Sequence, residues 1–194
     1  LSHITKIPFG KLKSGNYGKE EEEKIAKAIA WLKTRKFTHL YMPIFDAQSI
    51  YTAVKRTKHT QGLDVLIVDY FKGNGDGDAF TTYMELGKLV DMVKNNIAGA
   101  MDIAALGAVQ ATSTGKIADS AKICRNASAV AFISDKTPEE IEADGIECGN
   151  KKLRICFNRN GMQMIRPSDY IDLNFNGNSI SFEEAKQHTE LQPF

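Results

Sequence analysis

The sequence predicts an α/β fold with a mainly parallel central sheet and antiparallel hairpin strands toward its C-terminal end. Two patterns carry that expectation. Between residues 18 and 133, short apolar runs alternate with amphipathic helical stretches, as strand–helix–strand units do. Beyond residue 150 the apolar runs are separated by Asn160-Gly161 and Asn176-Gly177, dipeptides that favour hairpin turns. A length of 194 residues fits one domain, residues 1–194, and no linker or internal repeat divides it.

Taken in order, residues 1–17 mix lysines with Pro8, Gly10 and Gly15 and read as a helical turn followed by a loop. From Gly18 the pattern is helical: Glu20 to Glu23 favour the positive end of the helix dipole, and Ile25, Ile29 and Leu32 recur at helical spacing. His39–Ile44, an apolar run stopped by Pro43 and Asp46, is expected to be a strand, and Gln48–Thr60 a basic helix carrying Lys55, Arg56 and Lys58. Val65, Leu66, Ile67 and Val68 form an unbroken aliphatic run ending in Asp69, as in a strand buried on both faces of a parallel sheet.

Gly73–Asp78 is a Gly/Asn/Asp loop. Tyr83, Leu86, Val90, Val93 and Ile97 then mark one stripe of a helix. Met101–Leu106 and Ala129–Ile133 read as further inner strands, with a small-residue loop over Gly107–Gly115 and a helix through Cys124 between them. Residues 135–150 read as a surface loop or short helix. Leu153–Phe157 and Tyr170–Phe175 are the hairpin strands.

Composition excludes several classes. Lys plus Arg is 25 against 24 Asp plus Glu, so no bulk basic field marks a nucleic-acid coat and any DNA contact is local. Cys124, Cys148 and Cys156 show no CxxC or zinc spacing, which fits a reduced, cytoplasmic protein. No apolar run approaches a membrane span, and no secretory leader is visible.

The chemistry suggested by the residues centres on three positions. Asp69 ends a buried strand where open parallel sheets bind ligands, and a carboxylate pinned there suits Mg²⁺ beside nucleotide phosphates. Many parallel sheets carry such an aspartate without that use. Gln110, after the next inner strand, is placed to read a phosphate through its amide, or is an ordinary loop amide. Arg159, in FNRNG at 157–161, precedes a turn that can thrust a guanidinium toward a phosphate on a neighbouring subunit, or is a surface arginine.

Together these blocks resemble the C-terminal RecA-like ATPase domain of DnaB-type, phage-like replicative DNA helicases. The resemblance runs through LSHITKIPFGKLKSG at the start, LIVDYFKG at 66–73, YMELGKLVDMVKN at 83–95, ADSAKICRNASAVAFI at 118–133 and FNRNG, covering nearly the whole chain. It implies a RecA-like three-layer sandwich and the cofactors ATP and Mg²⁺. It also implies Asp69 as the Walker B carboxylate, Gln110 as a phosphate sensor and Arg159 as an arginine finger acting in trans within a hexameric ring. Gln110 needs a local shift, because the family glutamine falls on Ala108 in an ungapped alignment. The lysine that the family often carries two residues before the arginine is Phe157 here. Loops Lys72–Phe80 and Ala111–Lys116 are implied to track single-stranded DNA, with Lys72 and Lys116 as the candidate contacts.

One family element is not in the sequence. No GxxxxGK[ST] occurs, since the Gly-Lys pairs at 10–11, 18–19, 87–88 and 115–116 lack the glycine five residues upstream and the following Ser or Thr. With Leu1 rather than Met at the start, a truncated motor, inactive alone, is the expectation. The alternatives are an ATPase-inactive interaction protein that docks on a helicase ring and a RecA- or clock-type ATPase relative. An EF-hand reading of Asn74, Asp76, Asp78 and Glu85 is disfavoured, because Ala79 stands where the loop needs glycine.

Overall fold

The computed structural model describes residues 1–71, 79–110, 123 and 125–189, with the backbone alone for 79–83. Two compact units share the chain: Leu1–Leu40 with Ala129–Phe194, and Tyr41–Ser128. The first unit opens with helices α1 (Ser2–Thr5), α2 (Phe9–Ser14) and α3 (Lys19–Lys33). Gly18 caps α3, its amide donating to Glu21 Oε2 at 3.1 Å. Ile25 and Ala28 form the buried stripe of α3, whereas Ile29 is exposed, so the inner face is rotated from the expected Ile25–Ile29–Leu32 line.

The second unit contains α4 (Ala47–Gln61), β1 (Val65–Phe71), α5 (Ala79–Met92), a π-helical continuation over Val93–Gly99, and β2 (Ala104–Val109). Asp46 starts α4, its carboxylate accepting from the Ser49 amide at 2.8 Å and the Ser49 hydroxyl at 2.9 Å. These bonds hold the Asp46 carboxyl below its ordinary range. Ile50 and Val54 from α4 meet Leu89, Val93, Ile97 and Ile103 in one core, with Leu66 and Phe71 of β1 packed against it. The stripe read from Leu86 to Ile97 is therefore the buried one, although a π turn replaces the last α turns.

β1 and β2 pair in parallel, Val65 opposite Ala104 through Val68 opposite Gly107. Leu66 packs against the helical core and Val68 is buried, while Val65, Ile67 and Leu106 remain 54%, 60% and 63% exposed. The expectation of a strand buried on both faces thus holds for one face only, because α4, α5 and the π segment all lie on the same side. His39–Ile44 is not a strand. None of the described strands pairs with it; the segment is irregular and bends at Pro43 and Ile44, and an apolar run without a ladder partner does not make a strand.

The first unit's sheet has the order β3 (Ala129–Asp135), β4 (Lys151–Asn158), β5 (Ile171–Asn176), β6 (Ser181–Glu184), each pair antiparallel. Ala129–Ile133 is thus not the further parallel strand that its apolar run suggests. It runs antiparallel to β4 because the connection leaves and returns at the same end, with Asp135 opposite Lys151 and the Lys136 amide donating to Asn150 O at 3.1 Å. That connection holds α6 (Pro138–Asp144), opened by a Thr137–Glu140 capping box, and a 3₁₀ turn over Ile146–Cys148. The N-terminal segment is tied to the β5–β6 hairpin by Phe9 N donating to Asn178 O at 2.7 Å and by Lys6 paired with Glu183 at 2.6 Å.

Beneath this connection lies a buried charge network. The Lys136 side chain is 0% exposed and pairs with Asp172, also 0% exposed. It also donates to Asp144 Oδ2 at 2.7 Å and to the Cys148 carbonyl at 3.0 Å. Tyr170 donates its hydroxyl to Asp144 Oδ2 at 2.7 Å and stacks on His188 at 4.3 Å. Asp172 Oδ2 lies 2.6 Å from His188 Nδ1 and accepts from the His188 amide at 2.7 Å. Burial works against the Lys136 ammonium, yet its bonds to Asp144 and Asp172 outweigh that and hold its pKa above the ordinary lysine range. Burial likewise opposes the Asp144 carboxylate, but Lys136 and Tyr170 hold its pKa low.

This packing makes two substitutions costly. A Cβ on Gly107 would lie 2.0 Å from Phe71 Cε2, so Gly107→Ala must displace a ring packed on the core and should cost about 1–3 kcal/mol in urea unfolding. Lys136→Met leaves buried carboxylates without their cation and should cost about 3–5 kcal/mol. The sign with pH is fixed by the shifts: the Asp144 contribution is present above about pH 4 and lost on acidification, and the Lys136 contribution is present below about pH 10 and lost on further alkalinisation. A melting-temperature profile that Lys136→Met leaves unchanged at both extremes would contradict this.

Candidate functional site

In the second unit, two of the expected residues lie toward the carboxyl ends of the adjacent parallel strands β1 and β2, Asp69 within β1 and Gln110 just after β2. The parallel register passes from Val68 opposite Gly107 to Phe71 opposite Val109, so β1 carries one extra residue across Asp69–Tyr70. A bulge of this kind turns a side chain out of the regular pleat. Asp69 is exposed, as the alternation requires once Val68 is buried. A cis peptide joins Asp69 to Tyr70. Gln110 follows β2 directly, exposed, one residue beyond the Phe71–Val109 pair.

An exposed carboxylate at the carboxyl edge of a parallel pair has the donor chemistry that Mg²⁺ takes, one hard oxygen ligand with room for water. The residues present fit a magnesium-bound phosphate on that count. The chain's own backbone cradle for the phosphates is not among its motifs.

Arg159 lies in the first unit, exposed, just after β4. The connection from β4 to β5, residues 159–170, is longer than the tight Asn160-Gly161 hairpin that the sequence suggests. Its outer corner is nonetheless built like a turn. Asn158 Oδ1 accepts from the Asn160 amide at 3.2 Å, Asn158 O accepts from Gln163 Nε2 at 3.3 Å, and the Met164 amide returns to Ile155 O at 2.9 Å. Phe157 is opposite Val130 in the sheet, an apolar pair where the resembled family often has a cation.

Lys72 and Lys116, with the loop residues 72–78 and 111–116, lie outside the described residues, as do Cys124 and the Asn74, Asp76 and Asp78 of the disfavoured calcium loop. Among the described residues, no helix is long and apolar enough to cross a membrane.

One further group carries ligand atoms, and sequence reading missed it. Asp144, Asp172 and His188 offer oxygen and nitrogen atoms within 4.8 Å of one another. The Lys136 ammonium already supplies the cation there, bonded to both carboxylates and to a backbone carbonyl. A metal ion would have to evict a fully buried lysine, so the cluster is a structural tie between α6 and β5. The Thr137-Pro138-Glu139-Glu140 capping box was the visible signal that this segment folds into a helix.

No protein-family model and no curated protein matches the sequence. Among solved structures, a helicase ATPase domain matches with a TM-score of 0.74 and 12% identity, covering 95% of this chain and 68% of that one. A DnaB-like replicative helicase, whose interactions with primase were also described, matches with a TM-score of 0.68 and 13% identity over 93% of this chain and 45% of that one. The chain thus spans less than half of one relative and about two thirds of the other. Over nearly its whole length, this chain has the RecA-like fold of a DnaB-type helicase ATPase domain.

Proposed function

We propose that this chain is part of a DnaB-like hexameric replicative DNA helicase, coupling ATP hydrolysis at subunit interfaces to movement along single-stranded DNA and duplex unwinding. The observation that supports this reading is a parallel β1–β2 pair with Asp69 toward the carboxyl end of β1 and Gln110 just after β2, within a fold shared with helicase ATPase domains. Asp69 would hold the nucleotide-bound metal ion through water, and Gln110 would sense the γ-phosphate from its loop. Arg159, exposed at the 158–163 corner, reaches from one subunit to the phosphates held by the next, where a guanidinium stabilises the charge that develops on transfer. Magnesium, when bound, supplies neutralisation of the phosphate oxygens. Lys72 and Lys116 follow the DNA backbone as point charges.

The lack of a P-loop motif in these residues favours a second reading, a protein that docks on an intact ring and does not turn over ATP itself. The two readings separate in one assay series. The 194-residue chain alone should show background ATPase, while the protein expressed from its whole reading frame should show DNA-stimulated turnover under the first reading only. In that protein Arg159→Ala and Asp69→Asn should each lower kcat by about 10³-fold or more. Rings mixed from the two variants should recover part of the turnover, because some interfaces then combine an intact Asp69 with an intact Arg159. Normal turnover in the Arg159→Ala ring would remove the finger role.

A further inference from the structure

The loop that carries Arg159 is held from inside by another arginine. Arg154 stands in the middle of β4, opposite Phe132 of β3, and is half-buried. Its Nη2 donates to the carbonyls of Met164 and Arg166, each at 3.3 Å. Both acceptors belong to the arm that returns from the corner. On the same arm Met164 is buried, its amide bonded to Ile155 O at 2.9 Å, and its sulfur accepts from the Ile155 amide at 3.3 Å. Arg166 is fixed in turn by Asp169, with Nε to Oδ1 at 3.2 Å.

The outgoing strand is thus bolted to the returning arm at two successive points, Ile155 to Met164 by backbone and Arg154 to Met164 and Arg166 by side chain. Beyond them, Asn158 to Gln163 form a short closed corner, and Arg159 is exposed on it. A planar guanidinium can bridge two carbonyls two residues apart along one chain because its donors diverge in a fixed plane. The carbonyls it satisfies would otherwise compete for water and let the arm lift.

We infer that Arg154 is a positioning residue: by clamping Met164 and Arg166 it fixes the corner from which Arg159 is presented to a neighbouring subunit's phosphates. The inference rests on the finger reading of Arg159 and adds to it the part that aims the finger.

The test uses the protein from its whole reading frame and three variants, Arg154→Gln, Arg154→Lys and Arg154→Gln with Arg159→Ala. Hydrogen exchange at the amides of 160–166 should speed up in Arg154→Gln while β5 and β6 keep their protection, which shows a folded protein with a loosened corner. Turnover should fall roughly 10- to 100-fold in kcat with KM for ATP unchanged, the scale expected when a catalytic group is misplaced by about an ångström. Arg154→Lys, which keeps a cationic donor on the same strand, should restore part of both readouts. In the Arg159→Ala background Arg154→Gln should cause no further loss, because it acts through Arg159. An additive loss in that background, or unchanged kcat beside a strongly impaired Arg159→Ala, overturns the proposal while sparing the finger. Normal turnover in Arg159→Ala overturns both, and the exchange data then show whether the clamp is purely structural.

Discussion

The placement of the candidate site depends on a parity constraint in one strand. Along β1 the side chains alternate between two faces, and packing Leu66 against the helical core with Val68 buried beside it in the alternation puts Val65, Ile67 and Asp69 on the other face. A slip of one residue would bury the carboxylate and expose the valine, at a cost of several kcal/mol for an unpaired buried charge. The aliphatic run is therefore what fixes the acid. Gly107 adds to the constraint, since only a residue without a side chain leaves room for the Phe71 ring that packs on the same core.

The first unit is fixed by different physics. Its sheet is small and carries charge inside, with Lys136 and Asp172 both fully buried. Such a network contributes less net stability than an apolar core of the same volume, but it tolerates few arrangements. Lys136 must meet Asp144 from α6, Asp172 from β5 and the Cys148 carbonyl at once, and His188 closes the far side of Asp172. One geometry satisfies all four, which ties the α6 connection and the chain's end to the same strand. That strand, β5, begins where the Arg159 loop ends.

How legible this was in the sequence differs between the units. The period-3.6 stripe from Leu86 to Ile97 and the unbroken Val65–Val68 run are strong local signals. The structure buries the whole helical stripe that is described, and one face of the strand. That Asp69 and Gln110 lie toward strand ends was readable because the aliphatic runs before them mark where the strands stop. His39–Ile44 failed as a strand because apolar composition cannot report whether a ladder partner exists. The buried network was invisible because its members, Lys136, Asp144, Asp172 and His188, lie far apart along the chain and each looks like a surface residue when taken singly. Arg154 was hidden for the same reason, its acceptors being backbone carbonyls that carry no sequence mark.

A shared fold at 12–13% identity does not by itself transfer an activity, because the pattern that dictates the fold survives changes that would remove a site. What distinguishes a motor from a relic is the chemistry at a few positions, and there the sequence departs from the helicase pattern in an informative way. Phe157, opposite Val130, sits at a sheet position that packing fills with an apolar side chain, so β4 offers no second cation beside Arg159 at that point. Nearby, Arg154 bonds to two carbonyls and Arg166 to Asp169. Under the finger reading proposed above, charge delivered from this loop rests on Arg159, and a site that relies on one guanidinium depends more on where that group is held than one that can share the load with a neighbouring lysine. Under that reading, the hydrogen bonds that close the corner from Asn158 to Gln163 would serve the chemistry as well as the fold.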